Sequence, residues 1–138
     1  MGAGALAQRL LKTFTEGNYM SHDIMDEIRA EIAANRVIVY MKGTPSLPMC
    51  GFSAATVEVL REHGVPFAHV NILENQEKRE AIKAFSNWPT IPQVYIGGKF
   101  VGGCDIVQEL HASGELERLL KDAFADSSTH QSTAAPTK

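Results

Sequence analysis

The uninterrupted apolar run Val37-Ile38-Val39-Tyr40-Met41 constrains this chain more than any other feature. A strand with no polar face must be covered on both sides, so it belongs at the centre of a sheet with helices above and below. The flanking pattern supplies those helices. Ser21 or Asp23 can cap a first helix, with Ile24, Ile28 and Ile32 at i, i+4 and i+8 on its buried side. A loop with Pro45 and Pro48 follows the strand, then a helix from about Gly51 to His63, ended by Gly64 and Pro66. Phe67 to Ile72 reads as a second strand and Gln76 to Phe85 as another helix. Gln93-Val94-Tyr95-Ile96, turned by Gly97-Gly98 into Lys99-Phe100-Val101, is a tight hairpin signal. A last helical region begins near Asp105, breaks around Gly114 and resumes with Leu116, Leu119, Leu120 and Phe124 on one face. The order α-β-α-β-α-β-β-α gives parallel strands joined by helices and an antiparallel edge. The fold class is α/β, a small mixed sheet between helices.

The two ends of the 138 residues differ from this middle. From Met1 to Thr15 there are Arg9 and Lys12 but no acid, and Leu6, Leu10, Leu11 and Phe14 share one side of a helical projection. A basic amphipathic start is the pattern of an organelle-import presequence; a frayed leader ahead of Met20 is the alternative. From Asp126 to Lys138 the chain is polar, with a proline and no apolar period, and reads as a disordered tail. Residues 1–20 are thus a leader, 21–125 one domain and 126–138 a tail. A net charge of −3 with 7% aromatics argues against a nucleic-acid binder, and no apolar run reaches the roughly 18 residues of a membrane span. Two cysteines cannot staple a secreted scaffold, so a reducing compartment is expected and a cysteine is more chemical than structural.

Cys50-Gly51-Phe52-Ser53 lies between the proline-bearing loop and a helix start. There the unpaired N–H groups and the positive end of the helix dipole favour thiolate, the nucleophilic and metal-binding form. Lys42, at the end of the first strand, can add a positive charge. An inert buried cysteine is the competing reading. Ser53 stands where a dithiol oxidoreductase has its resolving cysteine, so Cys50 can accept a glutathione sulfur or ligate a metal but cannot close a local disulfide.

These residues, with Lys42-Gly43-Thr44-Pro45, Pro48, Trp88-Pro89-Thr90-Ile91-Pro92-Gln93 and Gly102-Gly103-Cys104-Asp105, resemble the CGFS-type monothiol glutaredoxins of the thioredoxin-like superfamily. The resemblance spans roughly Ser21 to Ala125, is similar to the mitochondrial single-domain members, and implies a central four-stranded mixed sheet flanked by helices. It also implies a glutathione site beside Cys50 and Phe52. Thr90 and Ile91 would precede a cis Pro92, whose neighbouring backbone pairs with the cysteinyl part of glutathione. Lys42, Arg79 and Lys83 would hold the glycyl carboxylate; without the resemblance, Arg79 and Lys83 at i, i+4 read as a solvated helix face. The backbone of Gly103, Cys104 and Asp105 at a helix start suits the γ-glutamyl carboxylate. The Asp105 side chain suits its ammonium or merely caps the helix.

The resemblance further implies a [2Fe–2S] cluster shared by a homodimer, with Cys50 and a glutathione thiolate from each copy, and BolA-like and iron–sulfur assembly proteins as partners. The implied location is the mitochondrial matrix, with plastid or cytoplasm as alternatives. Cys104 is either a small buried residue or a redox partner of Cys50, and Trp88 either packs at a helix end or meets a partner protein. His22, His63, His69, His111 and His130 are scattered, without metal-site spacing. Two functions compete: a cluster carrier, and a glutathione-dependent oxidoreductase that deglutathionylates proteins through Cys50. Ser53 and the extended loop before Pro48 favour the carrier.

Overall fold

The structure, a computed structural model, describes residues 23–134, with side chains described for residues 23–125. The leader expected at 1–20 and the candidate cap Ser21 lie outside the described residues. The described part of helix α1 covers residues 23–34. After it come β1 (Val37–Met41), α2 (Gly51–Glu62), β2 (Ala68–Asn71), a single 3-10 turn (Ile72–Glu74), α3 (Gln76–Ser86), β3 (Gln93–Ile96), β4 (Lys99–Gly102), α4 (Cys104–Ser113) and α5 (Glu115–Ala134). The sheet order is β2-β1-β3-β4. β1 runs parallel to β2 and antiparallel to β3, and β3 is antiparallel to β4. This is the thioredoxin-like architecture that the sequence implied.

All of β1 is buried, and its residues alternate between two cores. Val37, Val39 and Met41 pack with Val57 and Leu60 of α2, Val107 of α4, and Leu116 and Leu120 of α5. Ile38 and Tyr40 face the other way, toward Ile24, Ile28 and Ile32 of α1 and Ile82 of α3. Strand geometry causes the division, because successive side chains leave opposite faces. The β3–β4 turn uses Gly97 and Gly98, both at positive φ, as a two-residue hairpin of this type demands.

A buried polar network holds α1 and α3 on their face. The Lys78 ammonium, almost fully buried, donates to Glu31 Oε2 and pairs with Glu27 at 3.2 Å. The Tyr40 hydroxyl donates to Glu31 Oε1 at 2.7 Å. Burial first, and then the Glu31 carboxylate, hold that phenol protonated well above its ordinary range.

Two elements depart from the sequence reading. β2 ends at Asn71 rather than Ile72, because the Asn71 side chain accepts the Leu73 N–H and starts the 3-10 turn. The helix expected to stop at Ala125 runs on to Ala134, into the stretch read as a disordered tail. Extending a formed helix adds one hydrogen bond per residue fixed, and the next proline is Pro136.

Replacing Glu31 with Ala strips the acceptor from Tyr40 and leaves Lys78 with the exposed Glu27 alone. Urea unfolding is expected to show a loss of about 3 kcal/mol, whereas Lys78→Met, which removes the buried charge itself, costs clearly less. Equal losses in the two variants would contradict this account of the network.

Candidate functional site

The strand directions bring the loops after β1 and β4 and the loop before β3 to one end of the sheet. A cleft of about 450 Å³ opens there. Its walls include every residue that the resemblance implied for glutathione binding: Lys42, Cys50, Phe52, Arg79, Lys83, Thr90, Ile91, Pro92, Gly103, Cys104 and Asp105. Trp88, Pro89 and Ile106 complete it. The Ile91–Pro92 bond is cis, as the resemblance implied.

Cys50 is the N-cap residue of α2, in extended conformation. Its half-buried thiol is pushed up by desolvation, but the Ser53 and Phe52 N–H groups, the Lys42 charge and the Ser53 hydroxyl outweigh that. The balance lies below the ordinary thiol value, which favours the thiolate form. Ser53 is fully buried, and its hydroxyl accepts the Lys42 N–H at 3.1 Å. That bond ties the start of α2 to the end of β1.

The loop between Lys42 and Cys50 is closed on itself. Met49 N–H donates to Lys42 O at 2.8 Å, and Thr44 and Leu47 exchange backbone bonds at 3.1 and 3.0 Å. Gly43 sits at φ +93°, and a Cβ there would lie 2.5 Å from Leu47 O, so only glycine fits. Its N–H reaches Asn71 Oδ1 at 2.8 Å. Leu47, Met49 and Phe52, all within three positions of Cys50 in the chain, are exposed at 67%, 61% and 63%, and Phe52 lines the cleft.

The far walls carry charge. Arg79 and Lys83 rise from one face of α3; Lys83 pairs with Glu80 at 3.3 Å, and the buried Arg79 Nε has no protein partner. Opposite them α4 starts at Cys104 with Gly103 as N-cap and no side-chain cap. Its first N–H groups therefore have no side-chain acceptor. Asp105 is exposed in the first turn and is not the cap, which removes the capping alternative. A side chain at Gly103 would come within 3.1 Å of Pro92 O, so the missing Cβ lets α4 approach the cis proline. Cationic side chains on one side and helix N–H groups on the other suit a small ligand with two carboxylates. The orphaned Arg79 Nε fits the same ligand.

Sequence reasoning missed the supports. Gln93 is fully buried in β3; its Nε2 donates to Trp88 O at 3.1 Å and Thr90 O at 3.2 Å, and the Tyr95 hydroxyl donates to its Oε1. A lone amide opening an otherwise apolar strand was the available signal. Trp88, read as a packing or partner residue, lines the cleft and stacks near Phe100 at 5.6 Å. The histidines are less scattered than they read: His63 and His111 meet at 3.0 Å, away from the cleft.

A four-stranded mixed sheet with a cysteine at a helix N-cap and a cis proline in one cleft defines a thioredoxin-like protein. The family model described as Glutaredoxin matches residues 37–101. A Rickettsia typhi protein named "Probable monothiol glutaredoxin 2" is 52% identical over 95 residues, covering 69% of this chain and 86% of that one. The chain belongs to the monothiol glutaredoxin family. "Glutaredoxin-related protein 5, mitochondrial" of Danio rerio is 57% identical over 86 residues, covering 62% of this chain and 56% of its own length. "Monothiol glutaredoxin-S15, mitochondrial" of Arabidopsis thaliana is 48% identical over 99 residues, with shares of 72% and 59%. The chain thus spans less than two thirds of the length of these two relatives. These two relatives and yeast ones are named mitochondrial, which supports a mitochondrial location. Among solved structures, reduced poplar apo GrxS14 is 43% identical with a TM-score of 0.66, covering 72% of this chain and 92% of that one.

The rate of Cys50 alkylation by iodoacetamide is expected to rise with pH to a midpoint below 9.0, the ordinary thiol value here. Lys42→Met moves that midpoint up by removing the nearby cation. A midpoint at or above the ordinary value in the unmodified chain would refute the favoured thiolate.

Proposed function

We propose that this monothiol glutaredoxin binds glutathione in the cleft and that two copies together carry a [2Fe–2S] cluster to iron–sulfur acceptor proteins. The observation that carries this reading is the poised Cys50 thiol with a buried hydroxyl, Ser53, where a second thiol would resolve a mixed disulfide. A [2Fe–2S] cluster takes four ligands, ordinarily thiolates. In this proposal Cys50 and the thiol of a bound glutathione supply two from each copy. Exchangeable ligands on an exposed cluster favour delivery over electron transfer.

The cleft residues have separate parts in the proposal. Lys42, Arg79 and Lys83 receive the glycyl carboxylate. The backbone beside Thr90, Ile91 and cis Pro92 acts as a strand edge for the cysteinyl unit. The N–H groups of Cys104 and Asp105, next to Gly103, take the γ-glutamyl carboxylate, and the Asp105 side chain takes its ammonium. The exposed Leu47, Met49 and Phe52, neighbours of Cys50 in the chain, support contact with a second copy or with BolA-like and assembly proteins, because exposed apolar groups near a site favour docking. Residues 1–20 are proposed as the import presequence, from their basic amphipathic pattern.

Anaerobic reconstitution with iron, sulfide and glutathione is expected to give cluster absorption on a dimer, and an omitted glutathione or Cys50→Ser is expected to abolish it. A colourless monomer that turns over glutathione mixed disulfides would overturn the carrier reading. Cys50 would then take the glutathionyl sulfur, release the protein thiol and be freed by a second glutathione as glutathione disulfide. Lys42→Ala is expected to weaken glutathione binding about tenfold, the loss of one charge-assisted hydrogen bond worth about 1.5 kcal/mol. An unchanged calorimetric titration would remove Lys42 from the site.

A further inference from the structure

We infer that His63 and His111 form a second, thiol-independent site for a divalent transition-metal ion that favours imidazole, with Glu62 orienting one of the rings. His63 is the C-cap residue of α2, and His111 lies in the last turn of α4. The two helices pack side by side through Val57, Leu60 and Val107, which brings their C-terminal ends together. His63 Nε2 and His111 Nδ1 are 3.0 Å apart, with the ring planes at 78°.

Glu62 decides what His111 can do. Its Oε1 lies 3.1 Å from His111 Nε2, which sets a carboxylate beside the ring nitrogen remote from His63. In the tautomer with its proton on Nε2, His111 has its lone pair on Nδ1, the nitrogen 3.0 Å from His63. In that tautomer His63 Nε2–H is the donor across the 3.0 Å contact. When the His63 proton moves to its Nδ1, two lone pairs face one gap, and no net proton is lost. A carboxylate on the remote N–H of a ligating histidine is the usual support of such a ligand, fixing its tautomer and raising its basicity.

The dimensions fit with little movement. Two zinc–nitrogen bonds of about 2.05 Å at a tetrahedral angle span about 3.4 Å, so the rings need to part by only a few tenths of an ångström. The field fits too. Both helices end here, and the carbonyl ends of helices favour cations. Glu62 adds a negative charge, and the groove beside His63 contributes Glu117 and Lys121 from α5, which offset one another. Arg61 turns away to Pro45 O at 3.1 Å.

Among the described residues, no group of three or more His, Cys, Asp or Glu side chains is arranged to hold a metal. The protein therefore gives two ligands and water the rest, at a ring whose side chain is 35% exposed. Such an ion exchanges readily. The 12 residues of α2 separate the site from Cys50 by about 18 Å, so the two sites act independently.

The test uses the full chain with the Cys50 thiol alkylated and Zn²⁺ as the probe. Calorimetry is expected to find one Zn²⁺ per chain, while the imidazole resonances of His63 and His111 move together and those of His69 stay fixed. His111→Asn is expected to weaken binding at least tenfold, and Glu62→Gln about tenfold with both ring signals still responding. The inference is overturned if neither ring signal moves in the unmutated chain. It is equally overturned if His63→Asn and His111→Asn, shown folded by circular dichroism, bind Zn²⁺ as before.

Discussion

One strand register organises the site. The antiparallel pairing of β1 with β3 sets Tyr40 opposite Gln93. That single alignment brings the end of β1, and with it Lys42 and the loop to Cys50, beside the cis Pro92 that precedes β3. The parallel pairing of β1 with β2 delivers Asn71 to the same end, where it takes the Gly43 N–H. The β3–β4 hairpin then returns the chain to Gly102 and Gly103 and starts α4 against Pro92 O. A shift of one residue would turn every side chain of β1 to the wrong core and separate thiol from proline. The hydrophobic alternation that fixes the register is therefore also what assembles the chemistry.

At the thiol, opposing effects meet, and those favouring charge prevail. Burial works against a charge on Cys50, while backbone donors, a cation and a hydroxyl work for it. The donors belong to the helix itself, so they come with the fold at no further conformational cost. Lys42 and Ser53 are different, being side chains held in place by neighbours. The Lys42 N–H to Ser53 hydroxyl bond makes one support depend on the other. Lys78, on the far side of the sheet, is held by Glu31 and Glu27 in a purely architectural role.

Much of this was legible in the sequence, for a physical reason. The apolar run of β1, the double glycine of the hairpin and the residues around Cys50 all act locally, through periodicity, positive φ or a helix start. Recognised motifs then brought Arg79, Thr90 and Asp105 to the same cleft, which periodicity alone could not do. What escaped depends on contacts made only after folding. Gln93 is a buried amide whose partners are two carbonyls of a preceding loop. His63 and His111 are 48 positions apart and meet because α2 and α4 pack in one layer. The continuation of α5 beyond Ala125 escaped for the opposite reason: polar composition says little about a helix already nucleated upstream.

The partition of the interior into two cores has a consequence for how such a protein can change. Cys50, Cys104 and Asp105 stand on helices of one layer, and Arg79 and Lys83 on a helix of the other. The sheet lies between them, so a repacked layer leaves its opposite largely unaware. Lys42 bears on both, but the charge that Arg79 and Lys83 present to the cleft is inherited apart from the reactivity of the thiol. A lineage could retune what it binds by drifting in α3, while the residues that set the thiol stay untouched.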